Sequence, residues 1–210
     1  MKIVVFGANG KTGSHLVEQA LSKGHEVIAF VRREKSVKLT HSNLKIVEGH
    51  LDDIEILKAA IIGADACFST LGGGSLTHHA PEIIKGIARI ISSMEESGVK
   101  RFIYMSSLGA GESKYFMDPI SRFLFISLML RVPIADHNAN ESKIKNSKLT
   151  WTIVRPGGLS DGPLTQNLKH GSEKLQVKEN KSISRANVAS FMLDQLTSDA
   201  YHNKAAWVKE

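Results

Sequence analysis

The 210-residue chain has a single cysteine, Cys67, so no disulfide can form within it. A chain of this size without disulfides is expected in a reducing compartment, here the cytoplasm. Cys67 sits in the apolar run Ala66-Cys67-Phe68, with no basic neighbour, which favours a packed thiol over a nucleophile. No apolar run is long enough to span a membrane. The greasiest stretch, 123–130, is bracketed by Arg122 and Arg131. No secretory signal is visible, because the first apolar run is short and leads straight into glycines. Aromatic residues make up only 6%, and no dense basic cluster with interleaved aromatics accompanies the net charge of +6. These absences exclude a nucleic-acid or membrane partner from the expectation. The surplus cations are read as a solvated surface plus a few charges aimed at phosphate. Repeats, low-complexity tracts and linkers are also missing, so residues 1–210 are expected to form one domain.

What the chain does have is regular alternation. Its hydrophobic content of 42% and charged content of 23% are ordinary for a globular protein. Strand patterns fall at 2–6, 26–31, 44–47, 66–70, 101–105 and 150–154. Helix patterns fall at 12–23, 54–62, 81–96, 135–146 and 185–196. Gly24, Gly63 and Gly98 stand where helix C-caps belong, and Asp52-Asp53 is a helix start. The pattern predicts an α/β fold: a Rossmann-type, doubly wound parallel sheet with helices on both faces. Two segments depart from the alternation. Residues 107–133 follow the fifth strand and include a greasy helix over 120–130. Residues 156–181 follow the sixth and are rich in Gly, Pro and Asn. Ligands in open α/β sheets bind beyond the carboxyl ends of strands, so both segments are candidate substrate sites.

The strongest motif is the start, Gly7-Ala8-Asn9-Gly10-Lys11-Thr12-Gly13, after a buried strand and before an amphipathic helix. Gly7 permits a tight turn, Gly10 lets backbone approach a pyrophosphate, and Gly13 lets helix and strand pack closely. Gly7, Asn9, Gly10, Lys11, Thr12 and Gly13 are therefore candidate dinucleotide contacts. The second strand ends in Arg32-Arg33 where an NAD site carries an acid. Two guanidiniums suit a 2′-phosphate, which points to NADP, although Glu34 keeps NAD open. Asp52 could accept from the adenine amino group or simply cap a helix. Leu71, Gly72 and Gly73, after the fourth strand, let backbone pass the cofactor. Met105, Pro156 and Gly157 complete the candidate cofactor set. His78-His79 is not a metal site, since adjacent residues do not face one another and no third ligand follows at suitable spacing. Ser106-Ser107 lacks the Gly-x-Ser-x-Gly frame of a hydrolase elbow.

The pieces Gly7–Gly13, Val31-Arg32, Met105-Ser106-Ser107, Asp136-His137 with Lys143, Trp151 to Gly158, and Asp161-Gly162-Pro163-Leu164-Thr165 carry a family resemblance over essentially the whole chain. The chain resembles the atypical short-chain dehydrogenase/reductases of the NAD(P)-binding, NmrA-like group. Within that group it is most similar to the biliverdin IXβ reductase/flavin reductase subgroup. The resemblance implies a reductase that takes hydride from NADPH to a flat conjugated acceptor: a flavin as substrate, a quinone or a linear tetrapyrrole. It places Ser107 beside the nicotinamide and the acceptor, with Ser106 able to share the role. His137 is either a proton donor or a helix-start histidine bonded to backbone or ribose.

The Tyr-x-x-x-Lys pair is missing. With His137 at the lysine position, the tyrosine position falls on Pro133, and neither Tyr104 nor Tyr115 has a lysine four residues on. Alcohol dehydrogenation needs a base for the hydroxyl proton, whereas a flavin can take its proton from water. Gly158 stands where the biliverdin subgroup has a histidine, which favours a flavin over biliverdin. The alternative is an NADP-binding, redox-sensing regulator without catalysis. A sugar-nucleotide epimerase is disfavoured by the missing pair and by the short stretch after the sixth strand. The expected assembly is a monomer or a weak homodimer.

Overall fold

The computed structural model describes residues 1–72, 75–116, 123, 129–165, 167–172 and 182–210. Six strands lie where the hydrophobic pattern puts them: β1 (Lys2–Phe6), β2 (Glu26–Val31), β3 (Leu44–Glu48), β4 (Ala66–Ser69), β5 (Arg101–Met105) and β6 (Thr150–Pro156). Between them run α1 (Lys11–Ser22), α2 (Ile54–Ile61), α3 (Pro81–Glu96) and α4 (Arg131–Lys145). Two short strands follow, β7 (Leu159–Ser160) and β8 (Lys169–Gly171). The chain ends with β9 (Ile183–Ser184), α5 (Arg185–Asp194) and β10 (Lys204–Lys209).

The main sheet has the order β3-β2-β1-β4-β5-β6-β10-β8 and is parallel except at β8. A separate parallel pair, β7-β9, sits beside it. The order 3-2-1-4-5-6 is that of a doubly wound Rossmann-type sheet. It arises from strands buried on both faces, whose apolar runs feed two cores in alternation. Ile3 and Val5 join the core under α1 and α5, with Leu16, Val17, Val188 and Met192. Val4 and Phe6 join the opposite core, with Leu57, Ile87, Ile90 and Ile144. Each fully buried Leu, Ile or Phe contributes about 1.5–3 kcal/mol, so both faces of β1 are strongly anchored. Gly24, Gly63 and Gly98 take φ of 78°, 72° and 72°, the left-handed geometry in which a helix end reverses.

Several boundaries differ from the sequence reading. Helix α4 begins at Arg131, not at 135. Pro133 falls within its first turn, where the missing N–H has no intrahelical partner to lose. β6 runs on to Pro156 because β10 pairs alongside it. Strand β10, KAAWVK, lacks a β-branched run, so its pattern alone does not announce it. Cys67 is fully buried and desolvation pushes its thiol pKa up, as befits a packed thiol. Among the described residues no helix is long and apolar enough to cross a membrane. Gly73 and most of the expected 120–130 helix lie outside the described residues, as does much of 156–181.

Candidate dinucleotide and acceptor site

The parallel strands bring their carboxyl ends to one edge of the sheet. The chain winds outward from β1 through β2 to β3 on one side, then returns from β3 to place β4 on the other side of β1. This is the switch point at which such sheets take ligands. The glycine loop stands there. Gly7 adopts φ 82°, and a Cβ on it would lie 2.8 Å from Thr70 Oγ1. The Thr70 hydroxyl is within hydrogen-bond reach of the carbonyls of Phe6 and Gly7, at 3.3 and 3.2 Å. This ties the loop after β1 to the end of β4. A Cβ on Gly13 would overlap the Gly7 carbonyl outright, so α1 can start this close to the loop only with glycine there. Gly10 is the N-cap, in ordinary extended backbone, and no side chain caps the helix. Thr12 and Gly13 are buried in the first turn, whereas Asn9, Gly10 and Lys11 are exposed at the mouth. A helix start of this kind presents backbone N–H groups and partial positive charge, the donor set that fits a pyrophosphate.

Arg32 and Arg33 follow β2 at the same edge. Both are exposed, and neither guanidinium has an ion-pair partner among the described residues. Glu34 uses its backbone N–H on the Glu48 carboxylate, 2.7 Å away. Asp52 follows β3 and lines an open cavity of about 730 Å³ with His50, Asp53, Ile54 and Glu55. The cap of α2 is Asp53, whose carboxylate accepts from Ile56 N–H at 3.2 Å. The cap role once open to Asp52 therefore belongs to its neighbour. Leu71 and Gly72 leave β4 beside the glycine loop, and a Cβ on Gly72 would meet nothing within 4 Å.

The ends of β5 and β6 meet α4. Met105 is half-buried at the end of β5 and pairs with Val154. Ser107 is half-buried, its hydroxyl 3.3 Å from the Leu108 carbonyl. Ser106 is different: it is buried and donates to Glu141 Oε1 at 2.7 Å. Its hydroxyl belongs to the interior, so the shared role expected for it is set aside. Pro156 is buried at the end of β6 and its carbonyl accepts from Leu108 N–H. Gly157 donates its N–H to Val208. Both stand at the carboxyl edge of the sheet, where these backbone bonds tie β6 to the chain after β5 and to β10.

Beneath Ser106 lies an ion network that the sequence reading did not identify. Arg155, 2% exposed, donates from Nε to Glu141 Oε1 at 2.9 Å and from Nη2 to Oε2 at 2.5 Å. It also grips Glu112 through both terminal nitrogens, at 2.9 and 3.0 Å. Burial alone would push the Glu141 pKa up, but Arg155, the Ser106 hydroxyl and Lys145 outweigh it and the net shift is down. Arg155 likewise loses to burial and gains more from the two carboxylates, so its pKa is raised. Gly111, at φ 55°, passes so close to the Arg155 guanidinium that a side chain would overlap it. The network thus pins the turn after β5 and α4 to β6. A second cavity, about 510 Å³, opens beside it between Glu112, Tyr115 and Lys145.

His137 lies in the second turn of α4, not at the helix start, and its Nδ1 is 2.9 Å from the Tyr104 phenol rather than on backbone. Burial lowers its pKa, against the charges of Glu141 and Asp136. Asp136 accepts from Ala80 N–H at 2.9 Å and lies 2.6 Å from His79 Nδ1. His78 Nδ1 lies 2.9 Å from Thr77 Oγ1. Among the described residues no three His, Cys, Asp or Glu side chains gather as a metal site. Finally, Lys11 pairs with Asp161 at 3.0 Å, and Arg185 pairs with the same carboxylate.

Against known proteins, the family model described as NAD(P)H-binding matches residues 7–199. The chain is 29% identical to a protein of Bacillus subtilis named an uncharacterized sugar epimerase, YhfK, covering 98% of this chain and 92% of that protein. It is 31% identical to the UPF0659 protein YMR090W of Saccharomyces cerevisiae, over 93% and 87% of the two chains. Among solved structures it is similar to ChuY, an anaerobillin reductase of Escherichia coli O157:H7. The TM-score is 0.80 and the identity 26%, covering 100% of this chain and 97% of that one.

Proposed function

The chain belongs to the NAD(P)H-binding family of atypical short-chain dehydrogenase/reductases, and we propose that within it the protein is an NADPH-dependent reductase of a flat conjugated acceptor. Free flavin is the leading acceptor class, with quinones and linear tetrapyrroles beside it. The observation that carries this reading is a composite edge. A glycine cradle fits a pyrophosphate, two guanidiniums with no ion-pair partner among the described residues follow β2, and the position four residues before His137 holds Pro133 and no phenol. Bound NADPH supplies the hydride. The protein's part is placement: the α1 start and Arg32-Arg33 hold the phosphates, and Ser107 orients the acceptor through its hydroxyl. With no phenol at the helix position, the proton that completes reduction comes from water, which a ring nitrogen of a flavin accepts readily. A similar structure that is itself named a reductase supports reduction over epimerisation. The NAD(P)H-binding family adds the cofactor class.

The second reading is an NADP-binding redox sensor without chemistry. It is favoured by the Ser106 hydroxyl being committed to Glu141, which leaves Ser107 as the serine at the β5 end. One assay separates the two. NADPH oxidation, followed by absorbance with FMN, then a quinone, then biliverdin, is expected to show turnover with FMN. Tight NADPH binding without oxidation by any of the three would favour the sensor.

A further inference from the structure

Tyr104 has no role in the sequence reading, because no lysine follows it at the required spacing. In the fold its phenol stands between two side chains of α4. Asn140 Nδ2 donates to the Tyr104 oxygen at 3.0 Å, and His137 Nδ1 lies 2.9 Å from that oxygen. Tyr104 is fully buried and Asn140 is 2% exposed, so water does not compete for these bonds. A phenol has one proton to give. With Asn140 donating to its oxygen, that proton goes to His137 Nδ1. A ring nitrogen that accepts carries no proton, so the proton of neutral His137 sits on Nε2. We propose that Tyr104 and Asn140 are positioning residues that hold His137 as the neutral Nε2–H tautomer, a directed hydrogen-bond donor to the acceptor's ring system. The proposal rests on the reductase reading and adds a residue pair to it.

The direction of the relay follows from the cost of the alternative. Asn140 Oδ1 is buried without a partner among the described residues. Reversing the amide would bury an NH₂ group there instead, and an orphaned buried donor is rarer than an under-satisfied carbonyl. The surroundings keep His137 neutral. Asp136 and Glu141 on α4 would favour the cation, but Asp136 is engaged by His79 and Ala80 from the chain before α3. Glu141 is held by Arg155 of β6 and Ser106 of the β5 end. Burial prevails and lowers the His137 pKa. Tyr104, on β5, is itself held protonated, since burial raises its pKa. The chemistry balances simply. Hydride brings two electrons to the acceptor, negative charge develops on its conjugated system, and Nε2–H stabilises that charge by hydrogen bonding without giving up its proton. The proton that finishes reduction is taken from water.

The test is NMR of ¹⁵N-histidine-labelled protein without cofactor, with the His137 signal identified by its loss in His137→Gln. The expected wild-type signal at pH 7.5 is a neutral Nε2–H ring titrating below the ordinary histidine value of about 6.5. Tyr104→Phe should redistribute the proton toward Nδ1 and raise the titration midpoint. Asn140→Asp supplies a second variant: its carboxylate accepts the phenol proton, reverses the relay and drives His137 to Nδ1–H. With FMN, Tyr104→Phe should lower kcat three- to tenfold at pH values above the His137 midpoint, where the neutral ring no longer holds its proton on Nε2, with the KM for NADPH unchanged and the loss shrinking as acid restores Nε2–H. A wild-type Nδ1–H ring, or an unchanged His137 signal in both variants, would overturn the relay. Failure of wild-type protein to oxidise NADPH with any acceptor would overturn the reductase reading instead, and that result is independent of the NMR.

Discussion

Gly10 and Gly13 look alike in the sequence but differ in what surrounds them, and paired alanine substitutions expose the difference. A methyl on Gly13 would overlap the Gly7 carbonyl oxygen and lie 2.8 Å from its carbon and 2.9 Å from Thr70 Oγ1. Backbone cannot step aside cheaply, so α1 must move away from β1. Overpacking of this kind costs about 1–3 kcal/mol or more, and alanine's better helix propensity returns about 1 kcal/mol. Because the overlap is with backbone the upper end of that cost applies, so the net loss is about 2 kcal/mol, a fall of roughly 4–8 °C in Tm for a domain of this size. Gly10 sits at φ −74°, which any residue adopts, and a methyl there would meet only the Gly7 oxygen, at 3.1 Å, with open space on its other sides. Gly10→Ala should therefore cost no more than about 1 kcal/mol of stability. That open space is the path of the pyrophosphate in the present reading. Gly10→Ala should weaken NADPH binding tenfold or more, a loss of at least about 1.4 kcal/mol. Thermal unfolding and NADPH fluorescence titration on the same samples read both quantities. Wild-type affinity in a folded Gly10→Ala protein would refute the placement of the phosphates, whatever Gly13→Ala does.

Replacing Arg32 and Arg33 with Asp and Ser should weaken NADP binding by about 1–3 kcal/mol, the range for hydrogen bonds to charged groups; equal wild-type affinity for NAD and NADP would remove the premise. Ser107→Ala should lower kcat/KM with FMN between about twofold and two-hundredfold, while Ser106→Ala should act on Tm, because its hydroxyl serves Glu141. Complete loss of turnover in Ser107→Ala, or a trapped covalent adduct, would make that serine chemical. Arg155→Met strands a buried carboxylate and should cost about 3–5 kcal/mol, measured by urea unfolding; a loss below 1 kcal/mol would show that Glu141 is solvated. The network also sets an acid limit. Arg155 holds the Glu112 carboxyl down to about 2, and Glu141 is shifted the same way. Stability from this pair is full above about pH 4.3, the unfolded glutamate value, and disappears as pH falls toward 2; an acid midpoint unchanged in Glu112→Gln/Glu141→Gln would contradict this.

The strands and helices that carry the sheet were legible because their apolar residues are periodic and their ends are marked. Ile3 to Phe6 divides between two cores by simple alternation. Pro81–Glu96 is helical over the span its pattern suggests, with proline at its start. Strand β10 was hidden because its pairing with β6, not its composition, makes it a strand. The start of α4 was misplaced because proline reads as a stop, although in a first turn it is tolerated. Such features depend on tertiary neighbours, and a local window does not contain them.

The site divides along the same line. Contacts made by backbone at a strand end, such as the Gly7–Gly13 turn, follow from spacing alone. Contacts made by side chains across elements do not. Arg155 lies in the recognisable stretch Trp151 to Gly158, yet nothing in that stretch announces that the fold buries it against Glu141 and Glu112. Ser106 and Ser107 are adjacent and chemically identical, and the strand's alternation sends one hydroxyl inward to that network and leaves the other half-buried. Tyr104 is the clearest instance. A search for a phenol four residues before a basic side chain on one helix rejects it. The phenol nevertheless reaches His137 from a neighbouring strand, 33 residues away in sequence. A missing catalytic spacing therefore excludes only the version of the chemistry that one helix can build. It leaves open the version that a strand and a helix build together.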